Sequence, residues 1–107
     1  MASVKEFFDG LAERVDKSKI AGMNASYLFN ITGEEAEMYL VKIGNGEVAV
    51  SEGAGEAASI EIIIASADFL DLLAGKLNGQ MAFLTGKLKI KGDMTLAMKL
   101  QSIFKMG

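Results

Sequence analysis

The chain is 107 residues long, carries 11 Lys+Arg against 14 Asp+Glu for a formal net charge of −3, and contains neither cysteine nor histidine. Those figures exclude a disulfide framework, a thiolate metal site and histidine-centred acid–base chemistry, and they make nucleic acid a poor partner. Half of the residues (50%) are hydrophobic, a surplus over what one small domain needs for its core, so the excess must line a ligand tunnel, a subunit interface or a membrane-facing patch.

The first predicted element is an amphipathic helix. Ser3 is a plausible N-cap with Glu6 three residues later, as in a capping box. Val4, Phe7, Phe8, Leu11, Ala12 and Val15 then recur at helical spacing, leaving Lys5, Glu6, Asp9, Glu13 and Arg14 outward. From Ala25 the period changes to two. Tyr27, Phe29 and Ile31 point one way, and after the Gly33-Glu34-Glu35 turn Tyr39, Val41 and Ile43 do the same, forming one apolar wall. Gly44-Asn45-Gly46 predicts a second hairpin turn into residues 47–51, and the glycine-rich GAGEAA segment predicts a crossover to a fourth strand over residues 59–65. Its run of Ile60, Ile62, Ile63 and Ile64 reads as a central strand covered on both faces.

Ser66 is then the predicted cap of a helix with Phe69, Leu70, Leu73, Ala74 and Leu77 on one face, weakened at its end by Gly75. Asn78 starts a short helical turn whose apolar members are Met81, Phe83 and Leu84. Gly86 breaks it before a fifth strand, residues 87–91, in which three lysines alternate with Leu88 and Ile90 as in an edge strand with one wet face. Asp93 caps a final helix on which Met94, Leu96, Ala97, Met98, Leu100, Ile103 and Phe104 form one apolar arc. Gln101 falls inside that arc. An amide among core side chains costs about 1 to 3 kcal/mol without partners, so it is either a polar anchor in a greasy cavity or a side chain reaching the backbone or water. The string predicts an α+β fold, a five-stranded, largely antiparallel sheet covered by helices, in one domain spanning residues 1–107.

Catalytic and metal-binding signatures are missing. No GxSxG elbow, no GxxxxGKS phosphate loop and no EF-hand spacing occurs. The carboxylates Glu34, Glu35 and Glu37 sit in a predicted hairpin turn, and Asp68 and Asp71 near a helix start, where solvation and the helix dipole account for them. The chain is therefore expected not to be an enzyme, to use no cofactor and to hold no metal. No apolar run reaches the roughly 18 residues of a membrane span, the first residues have no signal-peptide core, and the sequons at Asn24 and Asn30 read as chance matches. Charge is uneven: residues 1–75 hold 5 Lys+Arg and 13 Asp+Glu, residues 76–107 hold 6 and 1. The later lysines, Lys76, Lys87, Lys89, Lys91, Lys99 and Lys105, either keep a strand and a helix wet or meet an anionic head group or membrane surface.

Residues 66–101, SADFLDLLAGKLNGQMAFLTGKLKIKGDMTLAMKLQ, carry a more specific signal. They join a SxxFLxLLxGKLN helix, an AFLxGKLKIxG turn and strand and a GDMxLAMKLQ helix in that order. This combination closely resembles the sterol carrier protein 2 domain, a small lipid-binding module, and AEMYLVKIGNG at residues 36–46 resembles its hairpin more weakly. Gly79 departs from the proline many members carry there, and Tyr39 stands where some have tryptophan. The resemblance covers about four fifths of the chain. It implies a hydrophobic tunnel between sheet and helices.

From residues and resemblance together, the expected function is non-catalytic binding, and transfer, of fatty acids, fatty acyl-CoA or sterol-like lipids. The expected lining is Phe29, Ile31, Tyr39 and Val41 from the sheet, Phe69 and Leu73 from the middle helix, Met81, Phe83 and Leu84 from the turn, and Met94, Met98, Leu100 and Gln101 from the last helix. That last helix is also a candidate lid. Expected partners are the apolar ligand and, transiently, an anionic membrane surface; nucleic acid is not among them, and a homo-oligomer is compatible with the surplus. The ending Lys105-Met106-Gly107 differs from the peroxisomal SKL type and points to the cytoplasm. The alternative is an interaction or accessory module that presents lipid to an enzyme and spends its apolar surplus at a subunit interface, with Phe7 and Phe8 of the first helix as the contact.

Overall fold

The computed structural model describes residues 3–53 and 58–104, without the side chains of residues 100–102 and 104. Helix formation begins where the capping residue dictates: the Ser3 hydroxyl accepts the Glu6 N–H at 3.1 Å, opening α1 (Val4–Asp9). Gly10 interrupts the predicted single helix, so Leu11–Arg14 forms a separate turn, α2. The Arg14 guanidinium donates back to the Phe7 carbonyl and lies 5.0 Å over the Phe7 ring, satisfying a carbonyl that the break exposes. A 3-10 turn, Lys17–Lys19, leads to the sheet.

Three strands make the expected meander, β1 (Ala25–Thr32), β2 (Glu37–Gly44) and β3 (Glu47–Glu52). In the second hairpin Gly44 pairs with Glu47, and the two residues between them, Asn45 and Gly46, take φ of 54° and 74°. Both central residues in the left-handed region are what a type I′ turn requires, and Asn-Gly is its preferred pair. The fourth strand, β4 (Ile60–Ala65), runs parallel to β1 and antiparallel to β5 (Leu88–Gly92), giving the order β3-β2-β1-β4-β5. Between β4 and β5 lie α3 (Ser66–Leu73) and α4 (Gly79–Leu84), and α5 (Met94–Phe104) follows β5.

The fold is the α+β arrangement read from the sequence, with a mixed, largely antiparallel sheet. Register explains the core. Tyr27 stands opposite Val41 and Phe29 opposite Tyr39, while Ile60, Ile62 and Ile64 extend the same face on β4; all seven side chains are buried. Helices α1 and α3 pack on that face. Phe8 is the centre of the arrangement: its ring stacks on Tyr39 at 4.1 Å and on Phe69 at 5.6 Å, and meets Phe29 edge-on at 5.1 Å.

Two details of the sequence reading are corrected here. Strand β4 is internal, but only one of its faces is covered by helices: Glu61 and Ile63 on the other remain half-exposed. An internal position follows from pairing on both edges and needs no second helical layer, which an apolar run alone does not distinguish. Ser66 is the first helical residue of α3 rather than its cap; Ala65 holds the cap position with no side-chain bond, and Ser66 is buried. On α3 the deeply buried leucine is Leu72, whereas Leu73 and Leu70 only flank the core.

Where β4 begins beside the end of β5, Gly92 has φ +119°, and a Cβ there would lie 2.6 Å from the Ser59 carbonyl oxygen. Substituting alanine must push the two strands apart, so Gly92→Ala is expected to lower stability by more than the ~1 kcal/mol usual for a single substitution, read as a lower urea midpoint. Phe8→Ala is expected to cost about 3–5 kcal/mol by the same measurement, because its four aromatic neighbours cannot close the space.

Candidate functional site

The expected lining residues divide into two groups. Phe29, Ile31, Tyr39, Val41 and Phe69 lie within the central core, each no more than 4% exposed, and Leu73 packs against it. Their immediate neighbour is Phe8, whose ring occupies the space above β1 and β2. Sequence reasoning placed Phe8 and Phe7 on the apolar face of their helix, and its alternative reading made them the contact of a subunit interface. Both are buried, at 1% and 9% exposure, so they cannot carry that contact.

The second group behaves oppositely. Met81, Phe83 and Leu84 on α4 are 54%, 43% and 68% exposed, and Met94 and Met98 on α5 are 47% and 80% exposed. These are large apolar side chains on two helices that both pack against β5, at one edge of the sheet. Contiguous exposed apolar surface is what marks an interaction site on a soluble protein. Leu100 and Gln101 have side chains outside the described residues, so the polar anchor expected at Gln101 lies there too.

The local sequence sets these helices. Asn78 caps α4, its side-chain oxygen accepting from Gln80 and Met81 N–H groups at 2.8 and 3.3 Å. The next residues then turn one apolar position, Ala82, fully inward and leave Met81, Phe83 and Leu84 outside. Asp93 caps α5 as expected, accepting from the Thr95 N–H at 2.9 Å. Among the described residues, that helix is fastened to the rest of the fold by the buried Ile103, by the half-buried Leu96 and Ala97, and by a long-range hydrogen bond that the Tyr27 hydroxyl donates to the Leu96 carbonyl at 3.0 Å.

Removal from water, reinforced by the negative charge of Asp93, pushes the Tyr27 phenol up to about 12. The Tyr39 phenol is also raised, first by burial and then by Glu52 and Glu37. Neither can act as a base near neutrality. The described residues contain no group of three carboxylates placed to share a metal.

Two surface depressions lie at different ends of the molecule. One, of about 400 Å³, opens between the segment before β1 and α5, with Lys19 and Lys99 around a floor of Ala21, Met23 and Ile103. The other, of about 440 Å³, lies by α1 and β3 and is crossed by Lys5, which pairs with Asp9 at 3.2 Å and Glu52 at 3.4 Å; those carboxylates raise the Lys5 pKa. The first combines two lysines with an apolar floor at the α5 end of the molecule.

The chain and its fold can be set beside known proteins. The profile of the SCP-2 sterol transfer family matches residues 4–105. The chain therefore belongs to the SCP-2 sterol transfer family, whose domains bind and transfer lipids. It is 35% identical over 101 residues to hydroxysteroid dehydrogenase-like protein 2 of Xenopus laevis, covering 94% of this chain but 24% of that protein, about a quarter of its length. It is 36% identical over 108 residues to the oleate-induced peroxisomal protein POX18 of Candida maltosa, covering 94% of this chain and 83% of that one. Among solved structures, the sterol carrier protein domain 2 of Helicoverpa armigera superposes with a TM-score of 0.78 at 30% identity, over 95% of this chain and 85% of that one.

Replacing Tyr27 by phenylalanine removes the latch on α5 without opening a cavity. Stability is expected to fall by about 1 kcal/mol, with faster hydrogen exchange confined to α5 amides. Because the folded phenol titrates above its unfolded value of 10.0, at about 12, its contribution is complete below pH 10 and is lost as pH rises through that window. The wild type should lose stability steeply there, and Tyr27→Phe should lose less, as followed by urea titrations at a series of alkaline pH values.

Proposed function

We propose that this chain, as a single domain over residues 1–107, is a non-catalytic carrier that takes up fatty acids, fatty acyl-CoA or sterol-like lipids. The observation that carries the reading is that Met81, Phe83, Leu84, Met94 and Met98 are all exposed on the two helices that pack against β5. In this reading α4 and α5 fold onto an apolar ligand and shield it against the inner face of the sheet. Leu73 and the side chains of Leu100 and Gln101 complete the lining, while Phe29, Ile31, Tyr39, Val41 and Phe69 form the deep wall of a tunnel that Phe8 bounds. The ligand is held by desolvation. Each methylene withdrawn from water contributes about 0.8 kcal/mol, so chain length and shape set affinity, and specificity is broad.

An acidic head group finds its complement at Lys19 and Lys99, which flank the depression beside α5. Residence in the cytoplasm and transient contact with an anionic membrane surface, where lipid would be exchanged, belong to the same reading. A second reading is favoured by one observation: the chain matches only 24% of a dehydrogenase-like relative, so the same lipid site can serve as an accessory module that presents its ligand to an enzyme.

Gentle purification followed by native mass spectrometry and solvent extraction tests the carrier directly. The expected result is a lipid adduct released on denaturation; an empty protein that also fails to take up added fatty acid would overturn it. Met98 is 80% exposed, so Met98→Asp should leave stability within about 0.5 kcal/mol yet lower fluorescent fatty-acid affinity roughly tenfold, as expected for placing a charge against an acyl chain. Unchanged affinity would remove α5 from the site.

A further inference from the structure

The twenty-one residues 72–92 contain Lys76, Lys87, Lys89 and Lys91 and not one aspartate or glutamate, in a chain whose net charge is −3. Within them, Met81, Phe83 and Leu84 are exposed, and so are all four lysines. Leu84 and Lys87 lie on either side of the short turn that joins α4 to β5, and Lys89 and Lys91 follow on the face of that edge strand away from the helices. Strand β5 is the last of the sheet, so this rim has no further strand beside it. Lys89 and Lys91 stand on alternate positions of β5, with Leu88 buried beneath and Ile90 half-buried. Of the carboxylates beside β5, Glu61 faces Lys91 across the β4–β5 pairing and accepts a bond from Asn30 at 3.3 Å, and Asp93 is engaged in capping α5.

The lysines elsewhere that pair with carboxylates make a contrast. Lys5 bridges Asp9 and Glu52, and Lys17 pairs with Glu47. The first helix also lacks such a surface: its apolar residues are buried, and its exposed face mixes Lys5 with Glu6 and Asp9.

We propose that the α4–β5 rim is the face with which this protein docks on an anionic lipid bilayer, Phe83 and Leu84 entering the interfacial layer while Lys87, Lys89 and Lys91 meet the negative headgroups. Basic side chains next to a small apolar wedge are what a reversible surface attachment requires: charge brings the protein to the membrane, and apolar insertion holds it. This deepens the carrier reading by naming its donor surface. It also puts the exposed residues of α4, part of the lipid site, at the membrane where a ligand would leave the bilayer.

The test is flotation of the full chain with phosphatidylserine–phosphatidylcholine vesicles and with phosphatidylcholine vesicles alone. Binding is expected only to the anionic vesicles and is expected to fall as salt is raised. Replacing Lys87, Lys89 and Lys91 together by glutamine should weaken it on the order of 100-fold, and Leu84→Ser roughly tenfold. The paired lysines serve as control, so Lys5→Gln with Lys17→Gln should change it little. Equal binding to both vesicle types, no binding to anionic vesicles at low salt, or full binding by the three-lysine variant would each overturn the docking face. Uptake of a fluorescent fatty acid from solution separates the two proposals: the three-lysine variant should retain it, whereas a wild-type protein that docks but takes up nothing contradicts the carrier and leaves the docking face standing.

Discussion

Everything in this molecule depends on one side chain being inserted between others: the ring of Phe8, stacked on Tyr39 and Phe69 and set edge-on to Phe29. Helix α1 has only six residues, too few to be stable alone. It exists because Phe8, with Val4 and Phe7, is withdrawn from water against the sheet. The same ring joins α1 to α3 and fixes the height at which both helices sit over β1 and β2. That contact decides how much room remains beneath the helices, and it moves the apolar surplus away from the N-terminal helix to the opposite side of the fold.

On that side the packing is of another kind. Among the described side chains, α4 buries Ala82 and α5 buries Ile103, with Leu96 and Ala97 packed against the core, while methionines, a phenylalanine and a leucine turn outward. The Tyr27 hydroxyl supplies a directed bond to the Leu96 carbonyl where apolar burial is thin. A firmly packed half and a loosely fastened half suit a carrier, because elements that must part to admit a ligand are drawn from the less stable portion of a structure. Domains of the family to which the chain belongs bind lipids, and this asymmetry gives a physical route by which one could enter.

Most of the fold was legible in local pattern. Alternation at Tyr27, Phe29 and Ile31 marked the core face of β1, Asn45-Gly46 marked the hairpin, and Ser3, Asn78 and Asp93 marked three helix starts. Gly10 was not legible as a break, since the apolar spacing runs through it without a change of phase. Nor could the run at Ile60 to Ile64 reveal how many of its faces are covered. The site was harder to read for the same reason: a methionine or leucine at helical spacing looks identical whether it faces core, ligand or solvent. Composition indicated that a surplus existed, and the sequence named Met81, Phe83, Leu84, Met94 and Met98 among thirteen candidates; the structure separates these five, exposed, from those buried in the core.

The parallel pairing of β1 with β4 has a bearing on how the chain reaches this state during synthesis. Strand β1 is internal, flanked by β2 and β4, and β4 does not exist until residue 65 has been made. In the interval the meander β1–β3 can form through short-range hairpins, but the second edge of β1 stays open, lined by Tyr27, Phe29 and Ile31 on one face. An apolar strand with unpaired backbone groups is the kind of surface through which nascent chains associate. Closing it early would favour a monomeric product, so the speed with which β4 arrives becomes a property on which yield depends.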